Sequence, residues 1–441
     1  MPQTQAADTR PPVEREIRLQ RLVMAYILTG LIFMLLPGTF LGVWNLLAIS
    51  SGHSATAVSP AWIQAHGHAQ IFGWIGTFIL GIGFYSLSKM GGLPPFAIRR
   101  GWVCGSLWTL GVAFRWFAGV TEWQWRALLP ISAVLELGAF LLFFSTVSRH
   151  RAARAAPASR PDAWMRVVVA STFGFLLTLV LNLVAATAVS LRGDGPAIPH
   201  VLDQRLLILA TWGFLVPTVW GFNARWLPIF LGLEKPRSRL LCTAVPAAWI
   251  SVVAAMLGAI LSSAAASAFA AITAALALRV FTRARQPAKT QGVHPSFPIF
   301  VRLCYVWLIV AAGLSVWAAR AEFADGIGGA SRHALTVGFL AAMVFAIGQR
   351  ILPAFCGARV LFSRGLMFAS LLLLNAGCVL RVSSEIPAYE GMAHWAWAVL
   401  PVSAVIEMAA VTLFAANLGI TFLRPPAHLL REDSAAERIR S

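Results

Sequence analysis

The chain has 441 residues, 58% hydrophobic and 12% charged, with a mean hydropathy of +0.74, which excludes a soluble globular domain. The net charge of +18 does not point to nucleic acid, because no basic strip with interleaved aromatics occurs. Instead 27 of the 35 Lys and Arg fall at 10–21, 89–100, 149–166, 235–239, 279–302, 350–364 and 424–440, the alternate connections between apolar runs. This is the positive-inside bias, and it predicts cytoplasmic termini.

In chain order, apolar runs long enough to cross a hydrocarbon core of roughly 30 Å occur at 22–48, 66–88, 101–119, 127–148, 164–189, 206–231, 240–262, 264–282, 298–319, 331–352, 366–383 and 395–422. An all-α polytopic membrane protein of 12 transmembrane helices is predicted. The segment before the first run mixes Arg10, Glu14, Arg15, Glu16 and Arg18 without a small-residue cleavage site, so no removable signal peptide is expected. Five cysteines form no CxxC or CxxCH pair, which argues against a structural zinc site or covalently attached haem. Trp62, Trp123, Trp125, Trp395 and Trp397 fall near run ends, as an interfacial belt requires.

The runs repeat. HGHAQIFGWIG holds His66, His68 and Gly73; LILATWGFLVPTVWGFNARWLP holds Gly213, Arg225 and Pro228; HALTVGFLAAMVFAIGQRILP holds His333, Gly338, Arg350 and Pro353. His68 and His333 each lie five residues before their glycine, and the Gly-to-Arg interval is 12 residues in both later copies. A second match joins Pro130 and Glu136 in PISAVLELGAFLLFF to Pro401 and Glu407 in PVSAVIEMAAVTLFA, with Arg115 and Arg381 ending the preceding runs. Three four-helix units follow, at 22–148, 164–282 and 298–422, arranged around a pseudo-threefold axis normal to the membrane.

Runs two, six and ten share one direction, so His68 and His333 fall at matching depth near the outer surface. Arg115 and Arg381 lie about one turn from that surface, and Glu136 roughly 14 Å along its helix, near the midplane. Two imidazoles at one depth are what six-coordinate haem iron needs, and arginines beside them suit propionates. His66 and His68 are about 200° apart on a helix, so they do not share a face. The repeat register favours His68 as the ligand, while His66 shares a face with Gly73. Glu136 and Glu407 are costly at that depth and suggest either a proton-carrying element or a protonated, hydrogen-bonded carboxyl. Arg225 and Arg350 are read as snorkelling groups, and His53, His200 and His394 as ordinary surface histidines.

The stretches H66-G-H68-A-Q-I-F-G73 and H333-A-L-T-V-G338 resemble the NnrS family, membrane proteins described as haem- and copper-containing and tied to the bacterial nitric oxide response. The resemblance implies a non-covalent, b-type haem, with copper as a further expectation and nitric oxide or a redox protein as partner. The chain departs from that family at Ala69, where an acidic residue is usual, and after Arg350, where ILPAFCG replaces a Gly-His-Thr-Gly stretch. The twelve-run layout is also similar to the catalytic subunit of haem-copper oxidases, which implies the same role for His68 and His333. Runs six and seven carry no histidine, so oxygen reduction at a haem–copper pair is not expected. A haem-free transporter with a midplane site at Glu136 and Glu407, or an assembly factor for a respiratory complex, are the alternatives.

Overall fold

The structure, a computed structural model, describes residues 12–90, 98–152, 162–321, 325–358 and 360–424. Parts of the basic clusters at 10–21, 89–100, 149–166, 350–364 and 424–440 lie outside these. The described residues are helical and contain no strand. Twelve helices are long and apolar enough to span a bilayer, which makes this a multi-pass membrane protein. They are α1 (Val13–Gly52), α2 (Pro60–Ser86), α3 (Ile98–Thr121), α4 (Trp125–Ser148), α5 (Ala163–Arg192), α6 (His200–Leu231), α7 (Ser238–Met256), α8 (Ile260–Leu278), α9 (Phe297–Ala318), α10 (Asp325–Phe355), α11 (Arg364–Tyr389) and α12 (Ala396–Leu423). Helices follow from the solvent, because hydrocarbon offers no partner to a backbone polar group left unpaired within its own segment.

Local chemistry sets several ends. Ser59 Oγ accepts the Ala61 N–H ahead of α2, with Pro60 in the first turn, and Ser363 Oγ accepts the Leu366 N–H at the start of α11. One predicted boundary moves: the break expected at 262–264 lies at 257–259. Gly258 there takes φ +78°, a left-handed turn that only glycine makes without strain, inside an otherwise unbroken apolar stretch.

Four spans are not uniform α-helix. π-helical segments occupy Met34–Phe40 in α1, Ala69–Gly76 in α2, Leu209–Leu215 in α6 and Ala334–Ala341 in α10. The last three begin directly after His68, Ile208 and His333 and enclose Gly73, Gly213 and Gly338, so the repeated sequence template is also a repeated backbone irregularity. Widened turns loosen the helical ladder, and hydroxyls take up carbonyls beside them. Thr77 Oγ1 donates to Gly73 O at 2.6 Å and Thr218 Oγ1 to Phe214 O at 2.7 Å.

The helices carrying the repeated bulges are also the three most buried spans. The Trp74 ring of α2 meets Phe345 of α10 at 6.0 Å, and Phe345 stacks on Phe414 of α12 at 3.9 Å. Between α6 and its neighbours, Phe214 stacks on Phe175 at 4.0 Å, and Asn223 Nδ2 donates to the Tyr305 hydroxyl at 2.9 Å. Each outer unit seats its bulge glycine on its own first span. A Cβ at Gly73 would lie 2.9 Å from Phe33 Cβ, and one at Gly338 would lie 2.5 Å from Trp307 Cγ.

Gly338→Val should therefore destabilise the purified protein by about 1–3 kcal/mol through overpacking. Gly419→Ala, at a helical site with nothing within 4 Å, should be neutral or slightly stabilising. Thermal unfolding in detergent compares the two, and equal midpoints would contradict this packing.

Candidate functional site

The two faces of the bundle differ. α1 begins and α12 ends at the face where Tyr85 stacks on Phe355 at 4.2 Å, called here the basic face. The opposite face holds the connections after α1, α3, α5, α7, α9 and α11, and His66, His68, Arg115, Glu136, His333 and Arg381 gather beneath it.

His68 is buried, and its Nε2 lies 2.7 Å from Oε1 of the fully buried Glu136 on α4. Its ring stacks on Phe72 at 4.5 Å, one turn along. Arg115, on α3, is buried within electrostatic reach of Glu136 and of Asp203 near the start of α6. Asp203 is in turn coupled to Arg115, His200, Arg332 and His68. Gln64 holds the connection above this group, its side chain bonded to both the N–H and the C=O of Ile198, and Arg332 Nη1 donates to Gln204 Oε1 at 3.1 Å.

The third unit departs from its sequence match. Glu407 occupies the position of Glu136, each packed against the glycine four residues before the arginine (Gly377 and Gly111). His333 nevertheless pairs with Glu385: Nδ1 lies 3.0 Å from Glu385 Oε2 and 3.1 Å from Gly329 O. Arg381 reaches the same carboxylate, Nε to Oε2 and Nη2 to Oε1, both at 3.3 Å. Glu385 escaped the sequence reading because it has no counterpart in the first unit, where Gly119 stands. The signal was its i,i+4 spacing from Arg381. Asp203 was missed because its relevance needs α6 beside α3.

The imidazoles use their nitrogens differently. His66 Nδ1 lies 2.9 Å from the Gly38 carbonyl, within the bulged turn of α1. A carbonyl only accepts, so Nδ1 carries a proton in both His66 and His333. The bulge also exposes the Pro37 carbonyl, which Trp116 Nε1 takes at 3.1 Å. Gly42 makes room for His66, since a Cβ there would lie 2.6 Å from the ring. His66 lies within electrostatic reach of His333 and Arg381. The segments that carry His66 and His333 make no extensive contact with one another, although α2 and α10 meet lower down through Trp74 and Phe345. His68, preferred from the repeat register, instead has its Nε2 engaged by Glu136.

Several buried polar atoms on these helices make no hydrogen bond: Asn45 Oδ1, Arg115 Nη1, Glu136 Oε2, Arg381 Nε and Nη1, Glu385 Oε2 and Glu407 Oε1. Leaving such groups unpaired in a low-dielectric interior is costly. Imidazoles whose Nδ1 is held by a carbonyl, and guanidiniums with unpartnered N–H groups, are the donor types that a haem's iron and propionates take. Among the described residues no three His, Cys, Asp or Glu side chains converge as a metal-ligand group, so a copper centre with three such ligands has no donor set there. A separate apolar cavity of about 450 Å³ opens between α1, α3 and α4, lined by Phe33, Trp116, Phe117 and Trp123 among others.

Residues 202–418 match a family described as "Domain of unknown function (DUF8744)". The match takes in His333, Arg381, Glu385 and Glu407, and stops short of the first unit. No curated protein matches the chain.

Glu385→Leu should cost about 3–5 kcal/mol, because it strands Arg381 in the interior. Glu407→Gln, which keeps shape and adds a donor beside an unpartnered oxygen's position, should change stability little. Unfolding by SDS titration measures both, and similar losses at the two positions would refute the unequal roles given to these carboxylates.

Proposed function

We propose that this is a haem-binding protein of the bacterial inner membrane, with cytoplasmic termini and its cofactor site beneath the periplasmic face. The orientation rests on the Lys and Arg bias, which loads the face where α1 begins. The observation that carries the haem reading is the matched anchoring of His66 and His333. Both hold Nδ1–H on a backbone carbonyl, which fixes the tautomer and aims a free Nε2 elsewhere, as imidazole ligands to metals are held.

In this reading His66 and His333 hold the iron, and Arg115 and Arg381 meet the propionates. The bound group supplies a one-electron Fe(III)/Fe(II) couple. The chain's own residues do the rest. Gly38 and Gly329 orient the rings, Glu385 strengthens His333 as a donor, and His68 with Glu136 forms a buried acid–base pair beside the site. The NnrS-like stretches add a link to nitric oxide, as signal or substrate, alongside electron transfer to a partner protein.

A second reading is favoured by Glu136 Oε2 and Glu407 Oε1, buried without partners. Intramembrane carboxyls in related positions of two repeats suit a proton-coupled transporter. In that case Glu136→Gln and Glu407→Gln would abolish solute uptake into proteoliposomes by a colourless protein.

The haem reading expects a Soret band with sharp reduced α and β bands from purified protein. His66→Ala and His333→Ala should each abolish the low-spin spectrum with expression retained, while His68→Ala keeps a shifted one. Unchanged spectra in the first two variants would overturn the assignment. Loss in His68→Ala but not in His66→Ala would return the ligand role to His68.

A further inference from the structure

His53 and His394 are 341 residues apart in sequence and adjacent in space, with ring centroids 4.6 Å apart and planes at 79°. His53 follows α1 directly and sits in the left-handed region, φ 50° and ψ 30°, where a residue other than glycine is uncommon. His394 lies in the turn between α11 and α12. Both side chains are exposed, and among the described residues their recorded contacts are with aromatic rings, including Trp397 at 5.6 Å from His53. The platform beneath is firm. Leu46 of α1 packs with Ala388, Ala396, Leu400 and Ala404 in a small apolar cluster of its own.

We infer that His53 and His394 form a two-imidazole site for a borderline divalent transition cation, Cu²⁺ or Zn²⁺, completed by water. Imidazole nitrogen binds such ions at about 2.0–2.1 Å, and two rings on one ion at right to tetrahedral angles then have centroids about 4.5–5.2 Å apart. The observed spacing and near-perpendicular planes fit that arrangement. Edge-to-face packing of two rings is the competing explanation. An occupied site would tie the end of α1 to the turn before α12. The inference stands apart from the haem reading and uses none of its residues.

The test is Cu²⁺ titration of the full-length protein in detergent, chelator-stripped and freed of any affinity tag, followed by metal analysis and low-temperature EPR. Wild type should bind one Cu²⁺ per chain with an axial signal and nitrogen couplings from two imidazoles, and Zn²⁺ should compete for it. His53→Ala and His394→Ala should each weaken binding by at least about tenfold and remove nitrogen coupling, while His200→Ala and His294→Ala leave it unchanged. The site is overturned if wild type takes up no stoichiometric Cu²⁺, if the two variants titrate like wild type, or if the control variants lose as much. Any Soret band should persist in His53→Ala and His394→Ala, which separates failure here from failure of the haem reading.

Discussion

A carboxylate placed inside a bilayer needs a cation or a proton donor beside it, and that requirement organises one third of this bundle. Glu136 is held by His68 with Arg115 nearby, and Glu385 by His333 and Arg381. Each group alone would carry a desolvation cost of several kcal/mol, and each partner offsets part of it. Because the partners sit on different helices, the electrostatic requirement is also a packing requirement. α2 must lie against α4, and α10 against α11, at the depth where the side chains meet.

The bulged turns serve the same end through the backbone. A regular helix gives each interior carbonyl one N–H of its own, and a widened turn disturbs that pairing. Around the π-helical segment at Met34–Phe40, the Pro37 carbonyl accepts from Trp116, and the Gly38 carbonyl accepts from both the Leu41 N–H and His66. The bonds from Trp116 and His66 tie α1 to α2 and α3 and set the His66 ring in a defined tautomer. In α2, α6 and α10 the bulges recur at the same point of the repeat, although only two of the three copies carry a histidine before them. The irregularity therefore belongs to the scaffold, and the ionisable residues were laid onto two of its copies.

The two outer units share one contact and differ in another. Gly111 with Glu136 and Gly377 with Glu407 preserve one contact in both units. Glu385 stands one turn beyond Arg381, where the first unit has Gly119. Its carboxylate lies closer to both His333 and Arg381 than any contact recorded for Glu407, so the histidine of the third unit answers to its own neighbour. A close approach at Gly329, where Glu385 would collide with any Cβ, lets that carboxylate reach between α10 and α11.

Composition, apolar run length and the spacing of Lys and Arg determined by themselves that the chain is a twelve-span helical membrane protein, because transfer into hydrocarbon is nearly a residue-by-residue property. Equal intervals such as Gly213 to Arg225 and Gly338 to Arg350 were legible too, because they lie in the order of residues. Only the tertiary structure decided which polar groups meet. Whether His66 or His68 keeps a free nitrogen depends on which carbonyl or carboxylate a neighbouring helix presents, and Glu385, Asp203 and the His53–His394 pair acquire partners only once distant spans are packed. Those are long-range contacts whose energies depend on distances of a few ångströms, and no spacing along the chain encodes them.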